Sequence, residues 1–227
     1  MATAKVIVNP YAGRWAGRAA IPRVERALRR LDFSFDLVTT DGPNHAVLLA
    51  RAAADAGYGP IVAVGGDGTI SEVMNGLMQS ASGDVAGPLG IIPAGSANDL
   101  ASQLGVPADI DGACARVAMG RERTIDIGRI NDRFFDNDVG VGFEPQVTLE
   151  ARKIKRLRGA LIYLVAVARA LRHLRQPRMT VEWDGGRASH EMPMVSVGNG
   201  NVTGGFHLTP DARLDDGARP ASSESRR

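Results

Sequence analysis

Short apolar runs alternate with helix-spaced apolar positions through the first half of the chain. Residues 4–8 (AKVIV), 33–39 (FSFDLVT), 60–64 (PIVAV) and 88–92 (PLGII) have the length and branched-apolar content of strands. Between them Ile21, Val24, Leu28 and Leu31 recur at helical spacing over 18–31. Pro43 opens an alanine-rich helix that runs to Gly57, and Ile70, Val73, Met74 and Leu77 mark a third helix. Strands separated by helices of this length predict βαβ units on a mostly parallel sheet, covering residues 1–124 as one α/β domain.

From Ile125 the pattern changes. TIDIGRIN, RFFDNDVGVGF, PRMTVEWDG and MPMVSVGN read as longer strands, interrupted by a basic helical stretch over 147–175. The expectation is a second, β-rich domain over 125–217. No Val, Ile, Leu, Met, Phe, Trp, Tyr or Cys follows Leu214. ARPASSESRR (218–227) is therefore expected to be a disordered tail. DARLDDG before it looks like a turn awaiting a further strand, so the chain reads as ending early with an open sheet edge. Edge pairing would permit a homodimer.

Composition narrows the class. With 44% apolar and 23% charged residues the chain is globular, and 27 glycines against 5% aromatics suit an α/β protein with backbone-rich loops. A single cysteine, Cys114, excludes an intramolecular disulfide and a zinc site built on paired cysteines; on an apolar helix face it reads as a buried small hydrophobe. The strongly apolar run 159–168 is too short to span a bilayer, and the N-terminus lacks the pattern of a secretory signal. The expected compartment is the cytoplasm. Charge is unevenly placed: residues 1–150 carry 13 Lys/Arg against 18 Asp/Glu, and residues 151–227 carry 14 against 7. The excess lies between Arg152 and Arg178, and such a field attracts polyanions. Without an aromatic cluster for base stacking, nucleic acid is not the expected partner.

Two glycine-rich loops fall at the carboxyl ends of strands, where open α/β sheets bind ligands. In VAVGGDGTISEVMNGL (62–77), glycines let backbone N–H groups approach a phosphate, and the following helix N-terminus favours an anion. Asp67 repels a phosphate unless Mg²⁺ lies between them; its other reading is a helix N-cap. In IIPAGSANDLA (91–101), Gly95 and Ser96 can meet phosphate, while Asn98 and Asp99 start a short helix. Asp126 in TIDIG is a third carboxylate, with a strand-end role as its alternative, and Asn9-Pro10 with Gly13 forms another candidate turn. Neither loop is a Walker A sequence, and no GxGxxG dinucleotide fingerprint occurs. Replacing Asp67 by Asn is expected to leave the fold intact, because the loop geometry rests on glycines.

In this order the loops resemble the diacylglycerol kinase catalytic-domain family, bacterial lipid kinases related to sphingosine and ceramide kinases. The resemblance rests on VNPYAG (8–13), GGDGTISEVMNGL (65–77), LGIIPAGSANDLASQLG (89–105), IDIGRIN (125–131), FDNDVGVGFE (135–144), RGALIY (158–163) and GGFHLTPDARLDDG (204–217). It implies a three-layer α/β domain resembling phosphofructokinase, a C-terminal β-sandwich, ATP between them, and phosphoryl transfer to a lipid hydroxyl such as that of diacylglycerol. Asp67, Asp99 and Asp126 match the carboxylates that organise the catalytic Mg²⁺ through water. Gly65, Gly66, Gly68, Thr69, Ile70, Ser71, Thr40 and Ser96 match nucleotide contacts; Asn9, Glu72 and Asn98 lie in the same motifs. Arg213, Asp216 and Ala218 match a structural metal site. In the family the acid that takes the lipid proton lies in a later Asp-Gly-Glu motif, which is absent from these residues. Two other readings follow: a nucleotide- or lipid-binding remnant without catalysis, and a soluble-substrate kinase resembling NAD kinase.

The basic stretch then gains a role. Leu157, Leu161, Leu164, Ala168 and Leu171 form a helical stripe flanked by Arg and Lys. It is expected either to meet an anionic membrane surface through 152–178, placing the protein peripherally at the inner membrane face, or to pack on the sandwich.

Overall fold

The computed structural model describes residues 3–82, 86–154, 160–183, 185–204 and 207–217. Its first part is β1 (Ala4–Val8), α1 (Ala12–Arg30), β2 (Phe35–Thr39), α2 (His45–Asp55), β3 (Ile61–Gly65), α3 (Asp67–Ser80), β4 (Leu89–Pro93), α4 (Asp99–Gln103) and α5 (Ile110–Ala118). The four strands form one parallel sheet in the order β2-β1-β3-β4, with Val6 opposite both Leu37 and Val62. Strand alternation builds the layers. Val6, Val8, Val62, Val64 and Ile92 pack on one side with Val24, Leu28, Ala113 and Cys114 of α1 and α5. Ile7, Ile61, Ala63 and Ile91 pack on the other with Ala46, Ala50, Ile70, Val73 and Leu77 of α2 and α3. The Cys114 thiol is fully buried, and burial pushes its pKa up to about 11, as befits an inert hydrophobe.

Several boundaries depart from the periodicity. The first helix opens at Ala12, but Gly13, Arg14 and Trp15 have positive φ, so regular helix begins only after them. Leu31 caps its end and is exposed, and thus stands outside the core stripe. The second helix begins at His45, two residues beyond Pro43.

The second part is β5 (Gly128–Ile130), β6 (Arg133–Phe135), β7 (Asp138–Gly142), α6 (Phe143–Lys153), α7 (Ala160–Leu171), β8 (Arg178–Trp183), β9 (Gly186–Glu191) and β10 (Met194–Gly198). Antiparallel pairs β5–β6, β7–β10 and β8–β9 carry it. Strands shorter than expected have local causes. Asn131 turns at positive φ between β5 and β6, and Asp136 and Asn137 spend their backbone carbonyls outside the ladder, on Asn199 and Gly200. The basic stretch is two helices rather than one, with Ile154 extended at the end of α6. They pack through Val147, Ala166 and Ala170. Leu161, Leu164 and Leu171 are instead 58%, 65% and 52% exposed, so the stripe does not pack on the strands. Leu157, Ala218 and the tail 218–227 lie outside the described residues. No described helix is long and apolar enough to cross a membrane.

Several side chains join the two parts, Asn75 among them. Asn75 of α3 donates to the Phe134 carbonyl and accepts from the Phe134 N–H, docking β6 on the first domain. Asn75→Ala leaves both Phe134 groups unpaired at a buried contact and should cost about 2–3 kcal/mol of stability, read by urea unfolding. A loss below about 0.5 kcal/mol would show that water replaces the amide there.

Candidate functional site

The sheet order reverses direction at β1 and β3, since β2 lies outside one and β4 outside the other. The loops following β1 and β3 therefore diverge from a crevice at the carboxyl edge of the sheet. Asn9 bridges them: its Nδ2 donates to Thr69 Oγ1 at 3.0 Å, while its Oδ1 receives the Tyr11 N–H. Gly17 sits so close to the same turn that a Cβ would lie 2.0 Å from the Asn9 carbonyl oxygen.

The two glycine-rich loops meet backbone to backbone. A Cβ on Gly95 would lie 2.3 Å from Gly66 Cα, and one on Gly66 would lie 2.9 Å from Gly95 Cα. The Ala94 N–H continues the ladder beyond the strands, donating to the Gly65 carbonyl at 2.7 Å. Gly13, at φ +56°, closes the third side, since its Cβ would be 2.6 Å from the Ala94 carbonyl oxygen. Three loops from three strands thus meet through close backbone approaches. Asn98 shapes the second loop by accepting from Gly95 N–H and donating to the Gly95 carbonyl.

The candidate residues separate by position. Gly66, Gly68 and Ser96 lie on the surface of the crevice, with Gly68 and Ser96 exposed, and a Cβ on Gly68 would meet open space. Thr40 is buried at the end of β2, and Thr69 is buried under Gly65. Ile70 is fully buried in the α2–α3 core, so its side chain is unavailable to a ligand. Ser71 is half-buried on the same helix. Glu72 is committed elsewhere: its two oxygens accept from Asn44 N–H at 2.9 Å and Ala46 N–H at 3.2 Å, capping α2.

Asp67 is a cap, but not of the helix it begins. Gly66 is the N-cap of α3. The Asp67 carboxylate accepts from Asn98 N–H at 2.9 Å and Leu100 N–H at 3.3 Å, bracketing Asp99 at the start of α4. Asn in its place would turn an amide N–H₂ toward one of these donors. The expectation that Asp67→Asn leaves the fold intact rests on glycines alone shaping the loop; this carboxylate shapes it too, through the Asn98 and Leu100 amides.

Asp99 receives the Gly204 N–H. Asp126 receives the Gly217 N–H at 2.8 Å, and its own N–H donates to the Leu214 carbonyl, so it ties down the DARLDDG turn that holds Arg213 and Asp216. Asn199 donates to the carbonyls of both Asp126 and Asp136. Two carboxylates without a role in the sequence reading join this set. Asp136 is buried, and burial followed by the Asp67 charge raises its pKa to about 6. Asp138 is raised to about 6 by burial, by Glu144 and by Asp99, and its Oδ2 is buried without a hydrogen-bond partner. Ser196 donates to the other carboxylate of this pair, Glu144.

This donor set suits a divalent cation that keeps its water. Among the described residues no three Asp, Glu, His or Cys side chains lie together closely enough to ligate an ion directly. Backbone N–H groups already occupy oxygens of Asp67, Asp99 and Asp126. Asp67 lies close enough to raise the pKa of Asp136 and Asp99 that of Asp138, whose Oδ2 is buried without a partner; a hydrated Mg²⁺ would offset that charge.

Residues 3–130 match the diacylglycerol kinase catalytic domain. The chain belongs to that family. Residues 137–219 match the YegS C-terminal NAD kinase β-sandwich-like domain. Proteins named diacylglycerol kinase from Staphylococcus aureus strains JH9 and Newman are 32% identical over 216 residues, which cover 94% of this chain and 68% of theirs. A crystal structure of a diacylglycerol kinase from Bacillus anthracis str. Sterne superposes with a TM-score of 0.71 at 26% identity, covering 95% of this chain and 70% of that one. In this member of the diacylglycerol kinase family, the FDNDVG motif holds Asp136 and Asp138, to which sequence reasoning gives no role. Two acids spaced by two in a strand-like segment, beside apolar neighbours, were the available signal.

The raised pKa of Asp136 carries a stability prediction. Its folded value of about 6 exceeds the unfolded value, so the protonated form favours folding fully below about pH 4 and that contribution is lost as pH rises through 6. In a metal-free buffer, Asp136→Asn should therefore stabilise the protein at pH 8 by up to about 3 kcal/mol, with the gain vanishing near pH 4. Denaturant midpoints across pH 4–8 check the sign; a gain independent of pH would assign the effect to packing.

Proposed function

We propose that this chain is an ATP-dependent lipid kinase that moves the γ-phosphoryl group to a hydroxyl of diacylglycerol or a related lipid. The observation that carries the reading is the direct backbone contact of two glycine-rich loops at Gly66 and Gly95, which lets a polyphosphate come close to the N-terminus of α3. Family membership supports the kinase, and the names of its relatives support the lipid.

Phosphoryl transfer is mostly positioning and neutralisation of charge. Backbone N–H groups at the N-terminus of α3 and at Ser96 receive the phosphates, the Gly95 N–H being taken by Asn98, and Asn9 with Thr69 ties the loop after β1 to α3. Asp67, Asp99 and Asp126 would hold a hydrated Mg²⁺, which when bound offsets the charge of the transferring group.

The substrate arrives from a surface. Leu161, Leu164 and Leu171 are exposed on α7, and Arg169, Arg172, Arg175 and Arg178 are exposed on and after it. Apolar contact plus several cations is the arrangement by which a helix rests on an anionic bilayer, with each cation near the surface adding about 1 kcal/mol.

Two measurements test this function. Labelled ATP, Mg²⁺ and a total lipid extract should yield a labelled lipid with the wild-type chain and none with Asp67→Asn, compared at a temperature where both are folded. Labelled NAD in place of lipid would establish a soluble-substrate kinase, and nucleotide binding without any product would establish a remnant. In vesicle co-sedimentation, Leu161→Asp/Leu164→Asp should weaken binding to anionic vesicles at least about tenfold. Unchanged binding would remove α7 from the membrane contact.

A further inference from the structure

The loop 199–204 of the second part is gripped by two amide side chains from different parts of the fold. Gln103, the last residue of α4, donates through Nε2 to Asn137 Oδ1 at 2.9 Å and to the Val202 carbonyl at 3.3 Å, while its Oε1 receives the Asn201 N–H at 2.9 Å. Asn137, between β6 and β7, donates to the Val202 carbonyl at 2.7 Å, and its own carbonyl receives the N–H groups of Asn199 and Gly200. Gly200 lies inside this grip: a Cβ there would be 2.0 Å from Asn137 Oδ1 and 2.6 Å from Gln103 Oε1. Thr209 anchors the loop from behind by donating to the Gly200 carbonyl. The loop then delivers the Gly204 N–H, on a backbone at φ +59°, to Asp99 Oδ2.

We infer that Gln103 and Asn137 are positioning residues for Asp99: by clamping loop 199–204 they place the Gly204 N–H that orients the Asp99 carboxylate toward the phosphate crevice. This deepens the kinase reading and rests on it for its catalytic consequence, though not for its geometry. Gln103 Nε2 also donates to the Asp99 backbone carbonyl at 3.4 Å, within α4, but neither amide bonds the Asp99 carboxylate. Their action on that carboxylate passes through one backbone donor, Gly204 N–H. Partners that orient a metal-organising ligand typically matter about 10–100-fold. The chemistry of the amide is specific here, because one side chain must accept from Asn201 while donating to Asn137 and Val202. Leu at position 103 fills a similar volume and does neither.

The test reads the donor directly. In ¹H–¹⁵N spectra of the full chain, the Gly204 amide should lie downfield in wild type and move upfield with faster exchange in Gln103→Leu, as it does in Asp99→Asn. Gly200→Ala, which leaves both amides in place but forces a Cβ between them, should reproduce the shift. Wherever phosphoryl transfer is measured, Gln103→Leu should lower kcat and raise the Mg²⁺ concentration for half-maximal rate, each at least about tenfold, while the KM for ATP stays within about twofold. Combined with Asp99→Asn, it should lower the rate no further. A Gly204 amide unmoved by Gln103→Leu, or rate losses that multiply in the double variant, would overturn the inference. Absence of transfer in wild type would refute the kinase reading alone, because the Gly204 resonance still reports on the clamp.

Discussion

Everything at the carboxyl edge of the sheet depends on Gly66 and Gly95 touching without side chains. Neighbouring strands are only about 4.8 Å apart, so the loops leaving β3 and β4 must either splay or merge. Here they merge, and the Ala94 N–H adds one more rung to the ladder beyond the last paired strand residues. A methyl group at either position would overlap the opposing Cα. The merged backbone brings the start of α4 beside the start of α3, which is the only reason an aspartate on one helix can bond the amides of the other.

Charge is arranged with the same dependence on approach. Asp67, Asp99, Asp126, Asp136 and Asp138 would repel each other if each faced the crevice bare. The first three are instead partly answered by backbone N–H groups from segments distant in sequence: 98 and 100, 204, and 217. Asp136 and Asp138 are raised mainly by burial and further by the charges of Asp67 and of Glu144 and Asp99. Negative charge is thereby gathered beside the merged glycine loops at the carboxyl edge of the sheet.

The parallel half was legible because its information is local. AKVIV, PIVAV and PLGII can bury both faces only between two helical layers, and the glycines after them announce loops whose backbone must be approached closely. What stayed hidden was set by tertiary context. Nothing near Leu31 marks it as exposed, and FDNDVGVGF looks like one strand until Asn199 and Gly200 take the carbonyls at its middle. Glu72 sits in a loop motif yet serves α2, because its partners lie 26 and 28 residues away. Gln103 gives no sign at all: a glutamine ending a short helix is unremarkable until Asn137 and the 199–204 loop arrive beside it. The apolar stripe of α7 was readable as a pattern, but which way it faced was not. Ala166 and Ala170 take the packing side and leave the leucines outward.

The exchange of caps around α3 has a consequence for how this domain can move. Its first two turns hold two carboxylates, Asp67 and Glu72, and each closes the beginning of a different neighbour, α4 and α2. Unwinding those turns would uncap both helices at once, while the sheet edge they cover would lose its layer. Local fraying is thus coupled to the collapse of the whole layer, and the crevice is built on an element that opens cooperatively or stays shut. The start of α3 is thus tied on two sides, to α2 and to α4, at the loops that meet at Gly66 and Gly95.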